Sequence, residues 1–372
     1  MSENVPSGFG GNSLWFQKMT MKIKNLSKIH NMNLDPSDLG IEKDYIKKLS
    51  VELGIGKIET LHVRHYIEGW FSHVIKCEAK GSEGNKNIFI KIYKEDSIPM
   101  INDINQWVLE EYQNLNYWYE RFIDSNQFFV PKPLLVIPER YLIITEEISG
   151  EGLGYLIRQG TCLFTSSIKY DNLIVQVRNV GAWLRYFQSL SSLNDRRFSV
   201  DEFIQYCNVR LRILTEERAN WFPARYKEQI LSFFEKHRND LSEKELRVSI
   251  CHSDFNPSNI IVNGQQVAVF DFGESQIDSS YLDITRLYHQ FYLMTFKPYF
   301  RKKYLISLQK ALLEGFEEAS VERLLIFRFL LIRHTITHLV TITRFWKFPI
   351  YEKLYNFWVL QKELSLLDHL LT

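Results

Sequence analysis

Apolar and polar positions are mixed through residues 58–66 and 72–79 in two short β-prone runs, which read as strands. A turn signal, Gly81-Ser-Glu-Gly84-Asn, leads into Ile88-Phe-Ile-Lys91-Ile-Tyr93, which reads as a third strand. A helical period runs from about 103 to 121 and stops at Val130-Pro-Lys-Pro133. Residues 134–137 and 141–146 then read as a hairpin of the same sheet. Three strands, one helix and two strands make a compact antiparallel unit ending near Glu147. Beyond Gly150 the period is mainly helical, over 172–192, 201–219, 224–239 and from 282 to the end. Short β patches interrupt it at 248–250, 260–262 and 267–270. The first 50 or so residues are polar and mixed, with one helix expected over 36–53, capped by Asp35 or Ser37. The expected class is α+β, divided into an extension (1–55), a sheet unit (56–147) and a larger helical part (148–372).

Composition narrows the partners. A chain of 372 residues exceeds what one core usually organises, so two lobes are expected. The formal net charge is +1, with no charged run, which gives no footprint for nucleic acid. Cys77, Cys162, Cys207 and Cys251 are scattered and form no CxxC pair, so neither a zinc site nor a disulfide framework is indicated, and a reducing cytoplasm fits best. Met1 to Ser13 lacks the apolar segment of a signal peptide. The most apolar helical run, 324–346, carries Arg328, Arg333, His334, His338 and Arg344, so it is read as a buried helix of a soluble protein and not as a transmembrane span. His334 and His338 share a helix face at i, i+4, but no nearby Glu or Cys completes a metal set. The aromatic tail with Trp346, Lys347, Phe348, Tyr351, Tyr355 and Trp358 is expected to pack on the helical part.

The segment Cys251-His252-Ser253-Asp254-Phe255-Asn256-Pro257-Ser258-Asn259 carries chemistry, together with Val269-Phe270-Asp271-Phe272-Gly273. Phosphoryl transfer from ATP needs a carboxylate to orient and deprotonate a hydroxyl, oxygens to hold Mg²⁺, and a cation on the non-transferred phosphates. Asp254 can be the base. Asn259, five residues on, can return a carbonyl oxygen to the metal, and Asp271 ends an apolar strand where its carboxylate can join it. The plainer reading is loop punctuation between strands. The ordered combination, with Asp271 17 residues after Asp254, favours the functional one.

These motifs resemble the protein-kinase-like superfamily, and within it the aminoglycoside phosphotransferase and choline kinase group, over about residues 60–300. The resemblance implies a two-lobed fold with ATP in the cleft. Protein kinases carry Lys two positions after the catalytic Asp, where Asn256 stands, and an activation segment for which the seven residues between Gly273 and Tyr281 leave no room. Tyr281-Leu-Asp283-Ile-Thr-Arg-Leu287 looks like the small-molecule kinases' Tyr/His-Asp-Leu-Ala motif, with Asp283 tying down the catalytic loop. By the same resemblance Lys91 binds ATP phosphates, with Glu111 favoured over Glu110 as its partner; Glu146, Glu147 and Ile148 form the hinge that meets adenine; and His252 braces the loop. The turn Glu68-Gly69-Trp70-Phe71-Ser72-His73 departs from the family's Gly/Ser/Asn turn, though Ser72 could donate to a phosphate.

The implied activity is ATP- and Mg²⁺-dependent phosphorylation of a small-molecule hydroxyl. Residues 281–372 hold 13 Lys/Arg against 8 Asp/Glu, which disfavours cationic aminoglycosides. Choline kinases usually carry Asp-Phe-Glu where Asp271-Phe-Gly273 stands. The C-terminal half is similar to relatives associated with bacterial surface-glycan synthesis, pointing to a sugar or glycan hydroxyl. A nucleotide-binding pseudokinase and a kinase acting on protein remain as alternatives.

Overall fold

The computed structural model describes residues 32–69, 71–94, 103–218, 220–317, 320–344 and 349–372. Residues 1–31 of the extension, Trp70 of the aromatic turn, and Trp346, Lys347 and Phe348 of the tail lie outside the described residues. The chain divides into two compact units, one of residues up to 123 plus 130–148, the other of 124–129 plus 149–372.

The first unit starts with β1 (Met32–Leu34), a 3₁₀ turn (Pro36–Leu39) and α1 (Lys43–Leu53). The sequence predicts one helix here; Gly40 divides it at φ 71°, a left-handed conformation that ends the 3₁₀ turn. There follow β2 (Ile58–Glu68), β3 (Ser72–Gly81), β4 (Gly84–Tyr93) and α2 (Ile104–Phe122). After the short β5 (Phe128–Phe129), which pairs within the second unit, the sheet is completed by β6 (Pro133–Ile137) and β7 (Leu142–Glu146). The strand order is β1-β2-β3-β4-β7-β6, all antiparallel. The unit therefore has a sixth strand and a second helix beyond the single-helix sheet expected. The expected boundary at 55/56 does not separate the described part of the extension from the sheet. Leu39, Ile41, Leu49 and Leu53 are too few to form a core alone, and they bury against Ile58, Leu61, Ile75 and Leu135.

The second unit holds β8 (Glu151–Gly152), α3 (Leu153–Thr161), α4 (Ser167–Ser189), β9 (Ser192–Arg197), α5 (Val200–Arg212) and α6 (Arg225–His237). It continues with β10 (Arg247–Cys251), β11 (Ile260–Asn263), β12 (Gln266–Val269) and β13 (Gln276–Ser279). Helices α7 (Leu282–Met294), α8 (Lys302–Gly315), α9 (Leu325–Ile342) and α10 (Ile350–Leu371) complete it. Two small sheets, β13-β10-β9 and β5-β12-β11-β8, carry the loops that matter below. Helices α4 and α8 cross at Gly181 and Gly315. A Cβ on Gly181 would meet the Leu312 carbonyl, and one on Gly315 the Arg178 carbonyl, so only glycine permits this backbone approach. Helix α9 is long and apolar enough to cross a membrane, yet 72% of it is buried within the protein, including Arg333 and His334. That is the construction of a core helix.

Candidate active site

In the first unit, the register of β4 places Lys91 between Val74 on β3 and Ile143 on β7. Its Nζ lies 2.9 Å from Glu111 Oε1, with the lysine side chain 18% and the glutamate 5% exposed. Helix α2, begun by Asp103, whose side chain accepts from the Asn105 and Gln106 N–H groups, turns Glu111 inward. Glu110 faces out and takes a hydrogen bond from Gln106. The ion pair of Lys91 is thus with Glu111, the glutamate favoured from the sequence, and Glu110 lies on the other face of the helix. The same ammonium lies 4.6 Å from the Tyr93 ring centroid.

The three residues expected to form the hinge are differently committed. The Glu146 N–H donates to the Lys132 carbonyl at 2.9 Å and the Glu147 N–H to the Asn87 carbonyl at 3.1 Å. The Glu147 carboxylate pairs with Lys76. Ile148 alone of the three makes no backbone N–H hydrogen bond among the described residues. Ser72 opens β3, and its carbonyl closes the preceding turn by accepting from the Gly69 N–H at 2.9 Å. Lys94, which the sequence reading passed over, fastens this turn through the Gly69 carbonyl at 2.7 Å and Glu68 at 3.2 Å.

In the second unit β10 ends at Cys251 and delivers His252, Ser253 and Asp254. Asp283, at the start of α7 and fully buried, accepts from the His252 N–H at 2.7 Å and the Ser253 N–H at 2.8 Å. Burial pushes the Asp283 carboxyl above the usual range, against the opposing pull of His252 and these two N–H groups. Ser253 is left-handed at φ 65°, a conformation that costs a non-glycine residue on the order of 1 kcal/mol or more and is held here by this clamp. His252 is buried; its Nε2 donates to the Phe270 carbonyl at 3.0 Å, which leaves Nδ1 to accept from the Asp254 N–H at 3.3 Å. His252 is thereby a brace between the loop and the strand leading to Asp271. Beneath it Phe272 packs 4.8 Å from the His252 ring, with Phe187, Trp183 and Phe255 in the same aromatic stack.

The hairpin of β11 and β12 brings the next two residues together. Its register pairs Ile260 with Val269, and the Phe270 N–H donates to the Asn259 carbonyl at 3.1 Å. Asn259 and Asp271 therefore leave the same end of one hairpin. Asn259 Nδ2 donates to the Asp254 carbonyl at 3.0 Å and to Asp254 Oδ2 at 2.8 Å. Both amide hydrogens are used, and Oδ1 accepts only a long contact, from the Ser258 hydroxyl at 3.4 Å. Asp271 is left-handed at φ 74°. An amide oxygen beside a carboxylate is the hard oxygen set that suits Mg²⁺, which takes few protein oxygens and completes its shell with water and phosphate.

Two residues near Asp254 were not picked out from the sequence. Arg286 on α7 pairs through Nη2 with Asp254 Oδ1. It lies three residues after Asp283, on the same helix face, and that spacing was the available signal. Glu274 lies within electrostatic reach of the same group. Desolvation pushes its carboxyl above the usual range, Asp254 and Asp271 push it the same way, and Arg286 opposes them. His334 and His338 do not converge. His334 Nε2 lies 3.2 Å from the Leu282 carbonyl and 3.1 Å from Thr285, whereas His338 Nδ1 meets Glu363 Oε2 at 2.8 Å. No group of three or more His, Cys, Asp or Glu that could hold a metal occurs among the described residues.

The chain matches the model of the family described as "Phosphotransferase enzyme family" over residues 176–321, the stretch with Asp254, Asn259, Asp271, Asp283 and Arg286. Among solved structures it is similar to a choline/ethanolamine kinase family protein from Mesorhizobium loti, at 15% identity and TM-score 0.54, covering 94% of this chain and 95% of that one. It is also similar to a thermostable mutant of aminoglycoside phosphotransferase APH(4)-Ia in ternary complex with ADP and hygromycin B. There the identity is 11% and the TM-score 0.53, covering 87% of this chain and 97% of that one. Among curated proteins no sequence relative matches. The solved structures establish the fold as the two-lobed kinase-like one, and the family match adds a likeness to phosphotransferases over residues 176–321.

Proposed function

We propose that this protein transfers the γ-phosphoryl group of ATP directly to a hydroxyl of a small molecule, with Asp254 as base and a sugar or glycan alcohol as the leading acceptor class. The observation that carries this reading is the amide of Asn259. It holds the Asp254 carboxylate, while its own carbonyl oxygen meets only the Ser258 hydroxyl, at 3.4 Å.

Asp254 orients the acceptor hydroxyl and takes its proton as the acceptor oxygen forms its bond to the γ-phosphorus. The bond from that phosphorus to the β–γ bridging oxygen breaks, and ADP leaves with the electron pair. Lys91, aligned by Glu111, binds the non-transferred phosphates. Ile148 offers its backbone N–H to adenine, which narrows the three-residue hinge to one donor. Ser72 serves at most as a minor phosphate donor, since its turn is held by backbone and Lys94. Asn259 and Asp271 would hold Mg²⁺, which when bound neutralises phosphate charge that builds up in the transition state. The ADP complex of the phosphotransferase with this fold and the alcohol substrates named by the choline/ethanolamine kinase relative support a nucleotide donor and a hydroxyl acceptor. Four free cysteines fit a reducing, cytoplasmic setting.

The test is Mg²⁺-dependent ADP formation by wild type and Asp254→Ala against a panel of sugars, aminoglycosides, macrolides and choline. An acceptor that raises wild-type turnover and loses its effect in the variant supports the reading. Mg²⁺-dependent ATP binding with no acceptor or hydrolytic turnover in either protein would turn it toward a pseudokinase.

A further inference from the structure

The turn between α3 and α4 departs from the usual chemistry of turns. The Thr165 N–H donates to the Cys162 carbonyl at 3.1 Å, which puts Leu163 and Phe164 at the corner, where Gly, Asn, Asp and Ser ordinarily stand. Phe164 is 98% exposed, and Leu163 also faces solvent. Ile168, in the first turn of α4, is 71% exposed. A polar pair would connect the two helices as well, without leaving large apolar side chains in water. The apolar corner therefore has a use that the fold of this unit does not explain.

The corner is held in place by the connection between α7 and α8. The Thr165 hydroxyl donates to the Gln159 carbonyl at 2.6 Å, and the Leu163 N–H to the Tyr299 carbonyl at 3.2 Å. The Arg301 N–H donates to the Thr161 carbonyl at 2.8 Å, and its guanidinium to the Leu163 carbonyl. Behind them Tyr170 of α4 stacks on Tyr304 of α8, with ring centroids 3.9 Å apart. Residues 297–303 thus lie against the turn. They add the exposed Tyr299 to its apolar surface and Lys297, Lys302 and Lys303 around it. Neither these lysines nor Lys169 makes an ion pair among the described residues. The stretches 152–170 and 284–313, which build this surface, hold eight Lys or Arg and no Asp or Glu.

We propose that this face is a peripheral docking surface for an anionic lipid bilayer, with Phe164 as its inserted tip. Charge selects the lipid: a cluster of lysines without a carboxylate among them is drawn to acidic headgroups. Shape selects a bilayer over a folded acidic partner. A side chain 98% exposed has no groove around it, so a folded partner would have to supply a fitted pocket. A bilayer receives a protruding ring without one. Phe164 and Leu163 enter the boundary between headgroups and acyl chains, and Tyr299 sits at headgroup level. The lysine stems lie over apolar surface while their ammonium groups reach lipid phosphates. Nothing spans the membrane in this arrangement, since α9 stays in the core.

The experiment is co-sedimentation of the full chain with two kinds of vesicle, at low and at high salt. One is phosphatidylcholine alone, the other equal parts of phosphatidylcholine and phosphatidylglycerol. Wild type is compared with Phe164→Ser and with the double variant Lys302→Ala/Lys303→Ala. All three side chains are exposed, so thermal midpoints should match wild type and loss of binding is not loss of fold. Wild type should bind the anionic vesicles roughly tenfold or more tighter than the neutral ones, and less tightly at high salt. Phe164→Ser should weaken binding about fivefold or more and keep the salt dependence. The lysine variant should lose roughly tenfold on anionic vesicles, with a flatter salt dependence. No binding of wild type to anionic vesicles at low salt overturns the proposal, as does binding that Phe164→Ser leaves unchanged. Binding to poly-glutamate as tight as to the anionic vesicles would assign the face to an acidic protein and overturn it too. So would lipid-free self-association of wild type that Phe164→Ser abolishes, which would make the face a contact between two copies of this chain.

Discussion

Asn259 donates both hydrogens of one amide to Asp254, one to its carbonyl at 3.0 Å and one to its carboxylate at 2.8 Å. The proposed base and a proposed metal ligand are thereby one mechanical unit, and their substitutions should not behave independently. Asp254→Asn keeps the volume but replaces an acceptor with a group that can neither take a proton nor accept at both positions. Turnover is expected to fall by about 10²–10⁴-fold, with Mg-nucleotide affinity little changed. Asn259→Ala frees the carboxylate and removes the amide oxygen, so it should weaken Mg-dependent nucleotide binding as well as kcat. Calorimetric titration with Mg-ADP beside steady-state rates separates the two. Equal nucleotide affinity in both variants would count against Asn259 as a metal ligand.

Lys91 and Glu111 form a nearly buried ion pair in which the glutamate is the less exposed partner. Removing one member of such a pair leaves the other's charge poorly compensated, which typically costs about 3–5 kcal/mol. Glu111→Gln retains a hydrogen-bond acceptor for the ammonium, so it should cost less stability than Glu111→Ala. Both should raise KM for ATP as the lysine loses its alignment. Glu110→Gln, altering a surface carboxylate, should do neither. Chemical denaturation and ATP titration of the three variants check this. A similar KM in all three would remove Glu111 from the nucleotide site.

Much of this arrangement was legible from residue order. The β-prone run around Lys91 and the run His252 to Asn259 followed by Asp271 were readable as a strand and loops between strands, because local spacing dictates such elements; the role of Lys91 came only from the resemblance. What escaped notice depends on packing across long sequence separations. Arg286 gains its meaning by meeting Asp254, 32 residues away. Glu363 lies beside His338 through the packing of α10 on α9, so a search for a nearby glutamate in the sequence missed it. The short α3 contains Gly154 and Gly160, whose low helix propensity hid it, and β9 and β13 are polar strands stabilised by pairing with β10. The role of residues 32–55 as part of the sheet's core is likewise tertiary information.

Asp283 serves two adjacent backbone donors and touches no reacting group, so its loss should appear first as instability. Asp283→Ala leaves two buried N–H groups without acceptors, each worth about 1–3 kcal/mol. Asp283→Asn can satisfy one of them and presents its own donor to the other. The expected order of thermal midpoints is wild type, Asn, then Ala, with activity lost along with the ordered loop. A full wild-type midpoint in Asp283→Ala would show that the clamp does not hold the loop.

The histidines of α7 and α9 make stability depend on pH in a definite direction. Burial lowers His289 from its ordinary 6.5; Glu363 opposes this, while His338 and Arg286 reinforce it. Burial lowers His334 well below the same value, with His289, Arg286 and Arg333 adding to the effect and the Leu282 carbonyl opposing it. The unfolded chain thus binds protons near pH 6.5 that the folded chain refuses. Stability is fully present above that pH and is lost as pH falls below it, at up to about 1.4 kcal/mol per pH unit for each group. Glu363 adds a second, more acidic loss. Burial alone would raise its carboxyl, but His338 and His289 together hold it below its ordinary 4.5, so its contribution is present above that value and fades as pH falls through the folded one. Urea unfolding at pH 7 and pH 5 should show the protein markedly weaker at pH 5. His334→Gln, which can keep a donor toward the Leu282 carbonyl but does not titrate, should lower the difference between the two pH values. An undiminished difference in that variant would exclude His334 as a source of the acid sensitivity and leave it with His289.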